Sequence, residues 1–327
     1  MAFAHALVTG GAGFIGSHLT RALLACGHRV TVLDNLSVGR RETVPEQARF
    51  VHGDVRDDVA VADALKDVDC VFHLAAQVTI RGSFDRFIED LDTNVMGTAR
   101  VLKSLDPGAI KWFVLASSMA VYADAPAPTP LDEAHTTRPL SPYGVGKLAA
   151  ESVARQILEA RGIPMSALRY FNTYGPGQAY TPYVGVITIF VTRLLQGEAP
   201  TIFGDGEQQR DFVHVEDIAA ATLSAPGREP GTYNLGTGRG TTLNALAALL
   251  TERIAPHRKP VHAPPQPGEL RYSIADISAA RHALGYAPAH RLEDDVDDVI
   301  AEIRRRTATG KPIEQVPDHS GVVRSTR

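Results

Sequence analysis

Residues 6–16 read Ala6-Leu-Val-Thr-Gly-Gly-Ala-Gly-Phe-Ile-Gly16. A short apolar strand runs into glycines at 10, 13 and 16, and helical periodicity follows over residues 17–26, closing at Gly27. Each glycine has its own task in a strand–turn–helix unit. Gly10 permits the tight turn, Gly13 lets the backbone approach a pyrophosphate, and Gly16 lets the helix pack on the strand. The helix N-terminus then turns its partial positive charge and open N–H groups toward the phosphates. A glycine triplet alone occurs in ordinary turns. The strand before it and the helix after it make it a dinucleotide-binding signal.

The same alternation continues outward. Strand patterns lie at 29–33, from 50, and at 70–74, 112–116 and 165–170, with helical patterns at 59–65, 84–105 and 142–160. Strand alternating with helix implies right-handed crossovers and a parallel sheet covered on both faces. After residue 174 the texture changes. Helices are expected at 187–196, 242–254 and 292–306, strands at 201–203 and 211–215, and a Pro-rich stretch at 256–267. The fold class is therefore α/β, a Rossmann-type doubly wound parallel sheet with a smaller C-terminal α/β substrate domain. We assign 1–172 to the dinucleotide-binding domain, with segments near 210–240 returning to it. Residues 173–309 form the substrate domain and 310–327 a loose tail.

Composition removes several classes. The chain has 327 residues, 44% apolar and 21% charged, too apolar for large-scale disorder. A net charge of −4 with mixed signs argues against nucleic acid and anionic membranes as partners. The two cysteines, Cys26 and Cys70, have no metal-like spacing and read as small buried hydrophobes. The N-terminus lacks a basic leader region, and no apolar run reaches membrane-span length, which fits a cytoplasmic protein.

Asp34 ends the second strand near the offset at which an acid meets an adenosine ribose, which favours NAD over NADP. Arg40 and Arg41 are a counter-signal and read as a solvated loop. Asp54 is a second candidate, suited to an adenine amino group, and is otherwise a turn carboxylate. Tyr143 and Lys147 stand at i and i+4 near a helix start, on one face. A nearby ammonium, with a nicotinamide cation beside it, favours the phenolate and lowers the phenol's pKa, as a base at neutral pH requires. Ser118 follows the fifth strand at the carboxyl edge, where parallel sheets place ligands, and can bridge a substrate oxygen to the tyrosine.

These motifs together resemble the extended short-chain dehydrogenase/reductase family, in particular its nucleotide-sugar epimerases and dehydratases. The likeness spans about residues 6–303. It rests on TGGAGFIG (9–16), Asp34-Asn35, Gly53-Asp54-Val55, His73-Leu-Ala-Ala76, Thr93-Asn94-Val95, Ala116-Ser-Ser118, Tyr143-x-x-x-Lys147, Arg169-Tyr-Phe-Asn-Thr-Tyr-Gly-Pro176, Gln209-Arg-Asp-Phe-Val-His-Val215 and Gly268-Glu269. The resemblance implies Tyr143 as acid/base on a sugar hydroxyl, Lys147 on the nicotinamide ribose and Ser118 orienting the reacting oxygen. It implies NAD contacts from Gly10, Gly13, Phe14, Ile15, Gly16, Asp34, Asn35, Asp54, Val55, Leu74, Ala75, Ala76, Asn94, Tyr143, Lys147 and Tyr170. It places Asn172 and Arg210 on the substrate diphosphate, and Gly185, Val186 and Phe203 around its base. The usual Arg before Pro-Gly is Gln266 here, which leaves Arg271 as a candidate replacement.

The family branches after the serine. Members similar to dehydratases carry an Asp-Glu pair there, and members similar to uronate decarboxylases a Glu. This chain has Met119-Ala120. The resemblance therefore implies a 4-epimerase acting on a UDP-hexose or UDP-N-acetylhexosamine, with a dehydratase or oxidoreductase of another nucleotide sugar as the alternative. Ala179, where uronate-specific members carry Arg, disfavours a uronate. Ser273, where narrow glucose/galactose epimerases carry Tyr, leaves room for an N-acetyl group. The twelve histidines form no HExxH or ligand-spaced cluster; His73 and His214 read as structural, and no metal is expected. Residues 293–298 read as the acidic start of a helix. The resemblance also implies a homodimer through helices near 84–105 and 142–160.

Overall fold

A computed structural model describes residues 2–178, 185–266 and 268–308. The first half runs β1 (His5–Thr9), α1 (Phe14–Ala25), β2 (Arg29–Asp34), β3 (Arg49–His52), α2 (Asp58–Ala64), β4 (Cys70–His73), α3 (Phe87–Leu91), α4 (Thr98–Lys103), β5 (Trp112–Ser118), α5 (Pro142–Ala160) and β6 (Met165–Tyr170). The second runs β7 (Asn172–Tyr174), α6 (Val186–Leu195), β8 (Thr201–Phe203), β9 (Gln209–Arg210), β10 (Phe212–His214), α7 (Val215–Ser224), β11 (Gly231–Leu235), β12 (Thr241–Thr242), α8 (Leu243–Ile254), β13 (Val261–Ala263), β14 (Tyr272–Ser273), α9 (Ser278–Leu284) and α10 (Leu292–Ala308).

Seven strands form one sheet in the order β11-β6-β5-β4-β1-β2-β3, all parallel. Successive strand residues point to opposite faces, and here both faces are apolar. Val8, Phe72 and Val114 join the core that contains Leu19 and Leu23 of α1. Their neighbours Leu7, Val71 and Phe113 join the opposite core, with Val101 of α4 and Leu158 of α5. Burial of each such side chain contributes roughly 1.5–3 kcal/mol, which is why the strands read as near-continuous apolar runs. The α/β parallel architecture expected from the alternation is the one observed.

A third core lies in the second half, where Phe190 and Val191 of α6 pack with Leu246 and Leu250 of α8 and Val296 and Ile300 of α10. β11, from the second half, returns to the main sheet by pairing with β6; the division into 1–172 and 173–309 stays a proposal. The proposed tail, 310–327, lies outside the described residues. Among the described residues no helix is long and apolar enough to cross a membrane.

Three local readings change. The single helix expected over 84–105 is interrupted. Between α3 and α4 the backbone widens into a π-helical turn, Asp92–Gly97. The strand expected over 211–215 is cut at Asp211, whose buried carboxylate accepts from the N–H groups of Thr237, Gly238 and Ala275 and from Thr237 Oγ1. Cys26 is exposed, not buried, because it follows the last turn of α1, while Cys70 is buried in β4.

Candidate active site

The strand order reverses between β1 and β4, so the loops after them diverge and leave a crevice at the carboxyl edge. A cavity of about 950 Å³ opens there, large enough for a cofactor and part of a substrate. Gly10 takes a φ of +71°, and a Cβ on it would lie 2.8 Å from Ala75 N. A Cβ on Gly16 would lie 2.1 Å from Gly10 O, so the start of α1 touches the turn directly. Gly13 caps α1 with no side-chain acceptor, leaving its N–H groups open to an anion. Gly10, Gly13, Phe14, Ile15 and Gly16 all line the cavity. This cradle fits the pyrophosphate of a dinucleotide.

Asp34 lines the same end and is held from behind. Oδ2 accepts from Ala12 N–H at 2.9 Å and Oδ1 from Leu36 N–H at 2.8 Å. Asn35, Leu74, Ala75, Ala76 and Tyr170 also line the cavity. Asp54, Val55 and Asn94 do not. Asp54 accepts from Asn35 Nδ2 at 2.8 Å and from Nε and Nη2 of Arg56 at 2.9 Å each, and these bonds hold its carboxyl well below the usual range. Arg56 N–H fills a further position at 2.8 Å, so the acceptor sites proposed for adenine carry donors already. Val55 is buried against Gly97. Asn94 acts from behind: it sits in the π turn and holds both the N–H and C=O of Gln77 in the cavity wall, at 2.9 and 3.1 Å. Arg41 stacks over Phe50 as a surface side chain, but Arg40, also exposed, reaches the cavity lining.

Ser118 ends β5, and Ser141 caps α5 by accepting from Gly144 N–H at 3.2 Å, with Pro142 in the first turn. Tyr143 and Lys147 are thereby fixed one turn apart, on the cavity wall that Ser118 also lines. Ser118 lies close enough to the Tyr143 hydroxyl to favour its ionised form. Lys147 Nζ donates to Ala116 O at 3.0 Å and lies 6.0 Å from the Tyr143 ring centre. The Lys147 ammonium does not by itself bring the expected lowering of the phenol's pKa. Burial pushes Tyr143 up to about 12, outweighing the effect of Ser118. Burial also lowers Lys147 to about 8. Buried Asp90, unremarked in the sequence, bonds Asn94 Nδ2 at 3.0 Å and is raised to about 6 by burial.

The substrate end is less as expected. Asn172, Gly185, Val186, Phe203 and Arg210 line the cavity. Arg271 does not: its guanidinium is held by both oxygens of Asp205 at 2.7 and 2.8 Å. Ser273 is wholly buried on β14 beside Arg210 and is not in the lining, so no space for an acyl group opens at it. Ala179 lies outside the described residues. The sequence reading missed Arg81, which donates to Glu269 Oε1 at 2.7 Å and lies 4.7 Å over the Phe203 ring. Only proximity in the fold reveals this partner, 188 positions away.

His73 is buried, bonded to Thr9 Oγ1 and Thr98 Oγ1, and lowered to about 3 by burial, so it is a neutral structural residue. His214, Glu216 and His290 bring nitrogen and carboxylate atoms within 4.8 Å of one another. The two rings stack at 4.1 Å, a geometry that does not aim two in-plane lone pairs at one ion.

A crevice of this kind, with a glycine cradle, a ribose-side acid and a serine–tyrosine–lysine group, defines a dinucleotide-dependent enzyme of the short-chain dehydrogenase type. The profile of the NAD dependent epimerase/dehydratase family matches residues 6–236. A UDP-glucose 4-epimerase from Mycolicibacterium smegmatis is 34% identical over 309 residues, covering 92% of this chain and 99% of its own. The crystal structure of UDP-glucose 4-epimerase with UDP-glucose from Thermotoga maritima superposes with a TM-score of 0.88 at 36% identity, covering 93% of this chain and 99% of that one. A UDP-N-acetylglucosamine 4-epimerase from Methanobrevibacter ruminantium, in complex with UDP-N-acetylmuramic acid, gives 0.87 at 32%, covering 94% and 100%. The chain belongs to the NAD dependent epimerase/dehydratase family and is an NAD-dependent enzyme of its nucleotide-sugar epimerases. NAD, when bound, supplies reversible hydride acceptance at a carbinol carbon.

Proposed function

We propose that this enzyme inverts C4 of a UDP-hexose, with UDP-N-acetylhexosamines as the second substrate class to test. The carrying observation is the grouping of Ser118, Tyr143 and Lys147 on a cavity wall where, among the described residues, no unpaired carboxylate joins them. Tyr143 exchanges the proton of the 4-hydroxyl, Ser118 holds that oxygen, and Lys147 fixes the ribose side of the cofactor. A C5–C6 elimination needs an additional acid and base at those carbons. Among the described residues the cavity is lined by two carboxylates, Asp34 and Glu269. Asp34 is bound by amides at the cofactor's ribose end, and Glu269 by Arg81 and Arg210. Neither is free to serve an elimination. The UDP-sugar 4-epimerases among the relatives support the same reading, with Phe203, Gly185 and Val186 against the base and Arg210 and Asn172 on the diphosphate.

The test is proton NMR of the purified enzyme with UDP-, dTDP- and GDP-sugars in D₂O. The expected result is a C4 epimer of a UDP-hexose with no deuterium at carbon. Deuterium at C3, C5 or C6, or loss of a hydroxyl, overturns the proposal in favour of dehydration or multi-centre epimerisation.

We also propose a cytoplasmic homodimer. Phe87 and Ile88 of α3, Met96 of the π turn, and Val145 and Ile157 of α5 are exposed on packed neighbouring helices. A second copy of the same face covers them in a two-fold arrangement. Light scattering is expected to give twice the chain's 35.1 kDa, and Ile88→Asp with Met96→Asp to give the single-chain mass. A monomeric wild-type enzyme overturns this.

A further inference from the structure

Glu269 stands between two guanidinium groups that both line the cavity. Its Oε1 accepts from Arg81 Nη2 at 2.7 Å and its Oε2 from Arg210 Nη2 at 2.9 Å. Arg210 is almost wholly buried, whereas Arg81 sits on the half-exposed loop after β4 and lies over Phe203. The three residues thus join the wall from the first half of the chain to the loop at Gly268 across one edge of the cavity. Arg210 alone is neutralised by Glu269, so an anion arriving there would meet no net charge. Arg81 leaves the group with one positive charge in excess. If Glu269 moves aside, two guanidiniums remain for a dianionic diphosphate, the anion that arginine forks bind best.

We propose that Arg81 is the second diphosphate-binding arginine of this enzyme, filling the role vacated at Gln266, and that Glu269 holds the two guanidiniums apart as a stand-in anion until the nucleotide arrives. This rests on the nucleotide-sugar reading above. Arg271 does not fill the role, because Asp205 holds its guanidinium and it lies outside the cavity lining.

The experiment is calorimetric titration of the NAD-loaded enzyme with UDP, dTDP, GDP and CDP, and with the nucleoside of whichever binds. Arg81→Ala is expected to weaken the diphosphate roughly tenfold to a hundredfold and leave the nucleoside within about twofold. Arg81→Lys is expected to recover part of the loss, since it restores charge but not the fork. Arg271→Ala is expected to bind as wild type. The proposal fails if Arg81→Ala binds the diphosphate as wild type does, if nucleoside and diphosphate weaken equally, or if Arg271→Ala costs as much as Arg81→Ala. Cofactor titration of each variant shows whether the fold is kept. A wild-type enzyme that binds none of the nucleoside diphosphates overturns the nucleotide-sugar reading itself, and this proposal with it.

Discussion

Tyr143→Phe is expected to reduce kcat by roughly 10²–10⁴-fold, or about 3–5 kcal/mol of barrier, while NAD binding and melting temperature stay close to wild type. The separation follows from what the substitution removes. Tyr143 is 6% exposed and packs in the main core through its ring, which Phe keeps. The hydroxyl lies beside Ser118, and Phe discards that interaction together with the group proposed to exchange the substrate proton. The backbone bond from Tyr143 N–H to Ser83 Oγ, at 3.1 Å, survives. Because burial holds the phenol near 12 and Lys147 near 8, the chain's own residues leave Tyr143 protonated at neutral pH in the free enzyme. The steady-state rate with the sugar identified by NMR is the measurement. A variant retaining more than a tenth of wild-type kcat would remove Tyr143 from the proton step.

Different parts of the fold and site were legible in the sequence to different degrees, and the reasons are physical. The glycines at 10, 13 and 16 act within a few residues of one another, so their spacing carries their geometry. Tyr143 and Lys147 are one helical turn apart, so their shared face follows from periodicity. Ser118 was placed by the end of a continuous apolar strand. Features made by distant partners were silent. Asp54 looks available until Arg56 and Asn35 are seen on it. Arg271 looks like a substrate cation until Asp205 is seen to hold it, and Ser273 looks like open space until β14 is found buried. The π turn that positions Asn94 leaves no mark on a pattern of period 3.6, so residues 84–105 read as one regular helix. β11 and α7 were obscured because Gly, Pro and Asn around them mimic loops. Pairing of Gly231–Leu235 with β6 overrides that local preference.

The largest stability effect is expected at a pair of charges that the sequence reading passed over, directly behind the strand that ends in Ser118. Arg169 of β6 and Glu151 of α5 are nearly solvent-free and bonded through two contacts, Nε to Oε1 at 3.0 Å and Nη2 to Oε2 at 2.8 Å. Ser117, next to Ser118, also donates to Glu151. Arg169 Nη1 donates to the Tyr122 hydroxyl at 2.9 Å, and that hydroxyl donates to Asn234 Oδ1 of β11 at 2.6 Å. One buried network therefore ties β5, α5, β6 and β11 together. Removing only the cation strands a carboxylate in the interior, so Arg169→Met is expected to cost about 3–5 kcal/mol. For a chain of this size that appears as a fall of several degrees in melting temperature. Replacing both partners by apolar side chains of similar volume, Arg169→Met with Glu151→Leu, is expected to recover most of the loss, because no unpaired charge remains. Thermal unfolding of the wild type, the single variants and the double variant decides the matter. A double variant as unstable as Arg169→Met would mean that the hydrogen bonds to Ser117 and Tyr122, rather than the burial of an unpaired charge, set the cost. The network's main contribution would then be to hold β5 and its Ser118 in register beneath the cavity.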